Sequence, residues 1–302
     1  MERTSKVMPV SQAIQRFMPD TCDTLAVGGM HMHNNPMALI REVIRQQKKV
    51  KRLVTSPSAC INADLMIGSG LVEEILTAYV GFEHLGLAPN FRKAVEKKTI
   101  KLLEADEPFL VYGLQAGAGG LPFIPYPKGL ELTDIPKVNP DLYRFTTDPY
   151  TGEEVMTAAP IKPSVALIHC QEADPYGNAI FKGSEFTDRQ MIFASDVVIL
   201  QVETIVPNLA EKYGSTKVNV PGFLISAVVE APFGCHPTSS HGYYTFDEAH
   251  LKSYLKSCKN PEAYGEYFQQ YVTGISEKEY SGKIGLDKLN AMRQKGDVSF
   301  YD

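Results

Sequence analysis

Short apolar runs alternate with helically spaced apolar positions along most of the chain. Leu25, Ala26 and Val27 run into Gly28 and Gly29, and Leu39, Ile40, Val43 and Ile44 then recur on one helical face. That order predicts a buried strand, a glycine turn and a helix over 36–47. The alternation continues with a strand at 52–56 and a helix from about residue 63 that carries Leu65, Met66, Ile67, Leu71 and Val72. A strand at 75–80, a helix at 91–98, a strand at 99–104 and a helix at 109–118 follow. Beyond residue 163, strands are predicted at 164–169, 197–202 and 223–229. Strands interleaved with helices indicate an α/β, Rossmann-related fold with a mainly parallel sheet.

Two stretches break the rhythm. Prolines at 127, 136, 140, 149, 160 and 163 mark 126–163 as a long irregular excursion or a small hairpin insertion, and such segments are usually functional or interfacial. From Phe246 the pattern is polar and helical, with Tyr254, Leu255, Tyr264, Tyr267, Phe268 and Tyr271 near helical spacing. The organisation is thus an α/β domain over 1–245 and a helical C-terminal extension over 246–302, an arm suited to packing on another subunit.

With 44% hydrophobic and 22% charged residues, the 302-residue chain has the makeup of a globular protein with a sizeable core. Its longest apolar runs, near 197–202 and 223–229, fall far short of the about 20 residues that a bilayer demands. The first six residues lack the apolar core of a secretory signal, so a cytoplasmic protein without membrane association is expected. A net charge of −5 argues against nucleic acid as a partner. The basic run Lys48, Lys49, Lys51, Arg52 is best read as complementing the negative end of the first helix. Five scattered cysteines without a Cys-x-x-Cys spacing indicate buried thiols rather than disulfides or a zinc site.

Open α/β sheets bind ligands at strand ends, which singles out four segments. Gly28-Gly29, with Asn35 as helix N-cap before Pro36, would let a ligand approach main-chain N–H groups. His169 to Asn178 is a strand feeding a turn pinned by Asp174 and Asn178. Glu230 to Gly242 holds His236 before Pro237, a residue suited to orienting the loop, and Gln115 to Pro122 holds Gly117, Gly119 and Gly120. The carboxylates Glu104, Asp106, Glu107 and Glu131 lie near the end of the 99–104 strand and in the loop after it. His31 with His33, and His236 with His241, lack a third ligand at metal-binding spacing, so no metal is expected.

Together Ala26-Val27-Gly28-Gly29 with Asn35-Pro36, Ala78 to Glu83, Gly117 to Pro125, Ala173-Asp174 with Gly177-Asn178, and Val229 to Pro237 resemble the family I CoA-transferases. Their order is that of the A (alpha) subunit, of the glutaconate type, over about residues 10–245. The resemblance implies a ribose-phosphate-isomerase-like fold and a heteromer whose acyl-CoA site lies between A and B subunits. It implies ping-pong transfer of CoA between an acyl-CoA and a carboxylate through a glutamyl thioester on the B subunit, with no cofactor beyond coenzyme A as substrate. The Glu-Asn/Ser-Gly setting of that glutamate is missing here, so this chain is expected to be inactive alone. The substrate-binding set implied for this chain is Gly28, Gly29, Ser56, Ser58, Gly119, Gly120 and His236. A ring-cleaving acyl-CoA hydrolase branch of the same family uses a glutamate whose position matches Glu104, the catalytic candidate in that alternative; Pro127 departs from that branch, where a basic residue stands. A related fold serves ligand-sensing regulators, but residues 1–24 are too few for a helix-turn-helix domain.

Overall fold

The computed structural model describes residues 4–293, so positions 294–302 of the expected C-terminal extension lie outside the described residues. Seven parallel strands form its centre: β1 (Thr21–Val27), β2 (Lys49–Thr55), β3 (Val72–Thr77), β4 (Lys101–Glu104), β5 (Val165–Ala173), β6 (Val197–Ile205) and β7 (Ala227–Glu230). Their spatial order is β7-β6-β5-β1-β2-β3-β4, with Ala179–Ile180 folded back antiparallel on β5. Val27 lies opposite Leu167 on one side and Thr55 on the other. The chain therefore winds outward from β1 to β4 on one side and from β5 to β7 on the other. The crevice at the carboxyl ends of β1 and β5 is the topological switch point.

Alternate side chains of each strand feed opposite faces of the sheet. Leu25 and Val27 pack into one core with the helices Val10–Phe17, Met37–Arg45 and Ile61–Gly68, whereas Ala26 faces a second core with Glu107–Ala118 and Asp188–Ala194. With both faces covered, the strands read as apolar runs, and all nine residues of β5 are buried.

The segment beyond residue 246 is no projecting arm. Leu251, Tyr254, Tyr267 and Val272 belong to the first core, so the helices Glu248–Ser257 and Pro261–Phe268 cover the chain's own sheet. The fully buried Arg41 fastens this layer: its Nε donates to Glu277 at 2.9 Å, its second terminal nitrogen also donates to Glu277, and its guanidinium lies 3.6 Å from the Tyr280 ring centroid.

The 126–163 region does hold a small antiparallel sheet of Ile124–Pro125, Glu154–Ala158 and Tyr143–Thr147. Tyr126 and Tyr143 anchor it by donating to Asp106, which also accepts from Phe109 N as the N-cap of Glu107–Ala118. Three local expectations need correcting. Asn35 does not cap the first sheet-covering helix; its carboxamide donates to the His31 carbonyl at 2.9 Å, and the helix N–H groups of Ala38 and Leu39 point instead at Oε1 of Gln201 on β6. Leu71 and Val72 lead into β3, because Gly70 at φ +75° ends the helical path. The basic run is taken up in ion pairs, Lys48 with Asp20 just before the strands and Lys51 with Asp23 and Arg52 with Glu74 across them, which accounts for it without a helix end.

Candidate functional site

Because the seven strands are parallel, their carboxyl ends share one rim. Gly28-Gly29 follow β1, Ser56 and Ser58 follow β2, Glu104 ends β4, Asp174 to Asn178 follow β5, and the 231–242 loop follows β7.

The β1 turn is held from within. Gly28 N donates to the Leu167 carbonyl and Gly29 N to both carboxylate oxygens of Asp188 at 3.0 Å. These two amides are therefore not free to hold a substrate carboxylate, which corrects the reading of this turn as an oxyanion cradle. The glycines are needed for a different reason. A Cβ on Gly28 would stand 2.8 Å from Oδ2 of Asp188, and Gly29 adopts φ +81° against the backbone of Asn34.

The β2 turn lies alongside. Ser56 is fully buried and its hydroxyl accepts from Thr187 Oγ1 at 3.0 Å. Ser58 lies between the two neighbouring loops: its carbonyl accepts from His31 N at 2.7 Å and its hydroxyl donates to Glu107 at 3.4 Å. Glu107, at the first turn of Glu107–Ala118, is thus the carboxylate that the fold brings onto a serine of the proposed acyl pocket. Glu104 is exposed at the end of the edge strand; its carbonyl accepts from Asn139, and among the described residues its carboxylate has no hydrogen-bonding or ionic partner. On the far side of Ser58, His31 Nδ1 lies 3.0 Å from Glu83 Oε1.

Two of the expected site elements do not face the crevice. Gly119 and Gly120 end Glu107–Ala118 at the opposite, amino-terminal edge of the sheet, where Gly117 packs so closely on the Ile161 carbonyl that a Cβ would collide with it. They form a helix cap: Leu121 N donates to the Ala116 carbonyl, Gly120 N to that of Gly117, and Gly120 takes φ +65°. His236 is at the rim but fully buried. Its Nδ1 lies 2.8 Å from the Tyr280 hydroxyl and its Nε2 3.0 Å from Asp247, and Lys288 joins Asp247 from the last helix. It fixes the loop rather than facing a ligand, and burial pushes its imidazole below the usual range. Asp174 pins its turn as expected, accepting from Tyr176 N, Asn178 N and the Asn178 carboxamide.

Sequence reasoning missed the residues beneath the rim. Burial pushes the carboxyls of Asp188 and Glu203 up to about 7, since each has hydrogen-bond donors but, among the described residues, no Lys or Arg in contact. Glu203 accepts from Tyr244 Oη at 2.7 Å and Phe233 N at 2.8 Å, and His169, driven down to about 3 by burial, bonds Ser240 and Gln201 beside it. Only the acidic residue types were visible in the sequence; Glu203 is enclosed on β6 and Asp188 at the start of its helix only through tertiary packing. His169, Glu203 and Cys235 converge closely enough to hold an ion, as do His236, Asp247 and His250. Most of their polar atoms are already engaged with neighbouring side chains and backbone. Among the described residues no helix is long and apolar enough to cross a membrane.

The model of the coenzyme A transferase family matches residues 7–231. The A subunit of the 3-oxoadipate CoA-transferase of Pseudomonas knackmussii is 32% identical over 94% of this chain and all of its own length. A cholesterol ring-cleaving hydrolase IpdA subunit of Rhodococcus jostii is 30% identical over 86% of this chain and 90% of its own. The crystal structure of glutaconate coenzyme A-transferase from Acidaminococcus fermentans superposes with a TM-score of 0.90 at 27% identity, covering 99% of this chain and 98% of that one. The strand order, the rim and these likenesses lead to one conclusion: the chain belongs to the coenzyme A transferase family.

Proposed function

We propose that this chain is the A subunit of a heteromeric acyl-CoA:carboxylate CoA-transferase. It supplies one wall of the acyl site, and a partner B subunit supplies the glutamate that carries CoA as a thioester. The observation that carries the reading is the rim itself. Its deep carboxylates, Asp188 and Glu203, are engaged by the chain's own donors, while Glu83, Glu104 and Glu107 are exposed. A covalent route through an acyl-enzyme needs a carboxylate that is both desolvated and open to a thioester. None of these rim carboxylates combines the two, so the reading assigns the attacking group to a second polypeptide that closes over the rim. Coenzyme A enters as substrate, no further cofactor is required, and the protein works in the cytoplasm.

The test is reconstitution with the B subunit. Acyl-CoA and an acceptor carboxylate should give ping-pong kinetics, and borohydride should trap a modified glutamate on the partner. Exchange by this chain alone would overturn the two-subunit reading.

A second reading is favoured by one observation: Glu104 ends β4 at the rim with a carboxylate that has no partner among the described residues, and relatives in the family are named ring-cleaving hydrolases. In that case Glu104→Gln abolishes turnover, no thioester is trapped and no acceptor acid is needed. For the transferase, Glu104→Gln leaves kcat within about tenfold of wild type, because a group outside the covalent route contributes orientation alone.

A further inference from the structure

Asp188 opens the helix Asp188–Ala194 and is only 1% exposed. One N–H of Gly29 is shared by its two carboxylate oxygens, both at 3.0 Å. The Ser56 hydroxyl, to which Thr187 donates at 3.0 Å, faces the same carboxylate and favours its charged form. From the other side Asn62 donates to the Gly28 carbonyl at 3.2 Å. Three rim segments that are remote in sequence, after β1, after β2 and before the Asp188 helix, therefore meet on one buried side chain.

We infer that Asp188 is a positioning residue: its carboxylate sets the paths of the Gly28–His31 and Ser56–Ser58 turns and so shapes the wall that this chain offers to the acyl group. This rests on the reading of the rim as half of an acyl-CoA site. The residue does not touch the reacting atoms. It takes the Gly29 N–H out of the pool of donors to substrate and leaves Ser58 and its neighbours to face the acyl end. A displacement of about 1 Å in such a wall costs on the order of a hundredfold in rate at worst, so a subtler change of hydrogen bonding should be felt.

The groups facing Asp188 are the Gly29 N–H, the Ser56 and Thr187 hydroxyls, Glu185 on its own segment, and the thiols Cys170 and Cys235. Among the described residues no cation joins them, and burial pushes the carboxyl up to about 7.

Asp188→Asn tests the inference, because its carboxamide turns an NH2 toward donors that the carboxylate accepts from. In 15N-labelled protein, assembled with its B subunit, the Gly29 amide resonance should titrate with a midpoint near pH 7 in wild type and stay still in Asp188→Asn. CoA exchange at pH 8 should fall about tenfold in kcat/KM even though the variant is folded and no less stable than wild type at that pH. Ser56→Ala removes a hydroxyl that favours the charged form, so it should move the Gly29 midpoint upward while the fold persists; this arm decides if Asp188→Asn does not fold. A Gly29 resonance indifferent to pH and to both substitutions overturns the inference, and so does undiminished exchange by a folded Asp188→Asn protein. Should the wild-type pair exchange no CoA at all, the transferase reading fails, while the Gly29 titration still decides the role of Asp188.

Discussion

The carboxylates beneath the rim and those that fasten the C-terminal helices are all largely enclosed, and they behave oppositely. Asp188 and Glu203 are stabilised chiefly by N–H and O–H dipoles, and both are pushed up to about 7. Glu277 faces Arg41 and Arg45, and Asp247 faces His236 and Lys288; these partners hold both acids below the ordinary carboxylate range. Burial alone therefore does not decide whether an enclosed acid keeps its proton. The nearest full charge does, since neutral dipoles return only part of the lost hydration. The clamp is built for permanence, and the rim keeps acids whose charge changes near neutrality.

The contrast breaks most readily at the clamp. Glu277→Ala leaves Arg41, 2% exposed, without its carboxylate, and should destabilise the fold by about 3–5 kcal/mol in urea unfolding. A loss under about 1 kcal/mol would mean that the Tyr280 ring and the His236 carbonyl, which also accepts from Arg41, satisfy the guanidinium unaided.

Stability against pH sharpens the comparison next. A carboxyl raised to about 7 in the fold and ionising near 4 when unfolded favours the native state most below pH 4, and that advantage fades as pH rises to 7. A depressed carboxyl such as Asp247 does the reverse: its contribution is full above the unfolded value near 4 and is lost as pH falls below it. Between pH 5 and pH 8, Asp188→Asn should therefore gain on wild type by on the order of 2 kcal/mol in denaturant unfolding, since the wild type alone must bury a charge at pH 8. A difference that stays constant across that range would contradict an elevated Asp188.

The smallest effect separates a cap from a site. Gly120→Ala places a side chain at φ +65° and should cost about 1 kcal/mol, with CoA exchange unchanged per folded molecule, because Gly120 lies on the edge away from the rim. A change in KM without a change in stability would return Gly119 and Gly120 to the binding site.

Most of the sheet was legible in the chain. Runs such as Leu25 to Val27 ending in glycine, and Ser164 to His169 before a proline turn, announce strands and their ends because parallel strands covered on both faces need unbroken apolar sequence. Rim placement of Gly28, Ser56, Ser58 and Glu104 follows from strand ends alone. What did not follow was direction and partnership. Gly119 and Gly120 carry the glycine signature of a ligand loop, yet the same residues end any helix, and the helix runs back across the sheet before they occur. Gly29 looked open to a ligand because its partner, Asp188, lies 159 residues away. His236 and the C-terminal tyrosines meet through tertiary packing that no local periodicity encodes, which is why a layer of the core read as an arm suited to another subunit.

The Gln201 carboxamide on β6 has an outcome for nucleotide recognition. Its oxygen receives the N–H groups of Ala38 and Leu39, at 3.1 and 3.4 Å, from the helix that follows the glycine turn. In dinucleotide-binding sheets, that helix end is where a pyrophosphate lodges. Here the berth is filled by an internal amide, so a diphosphate approaching this end of the sheet would have to anchor without the helix N–H groups that such folds usually offer it.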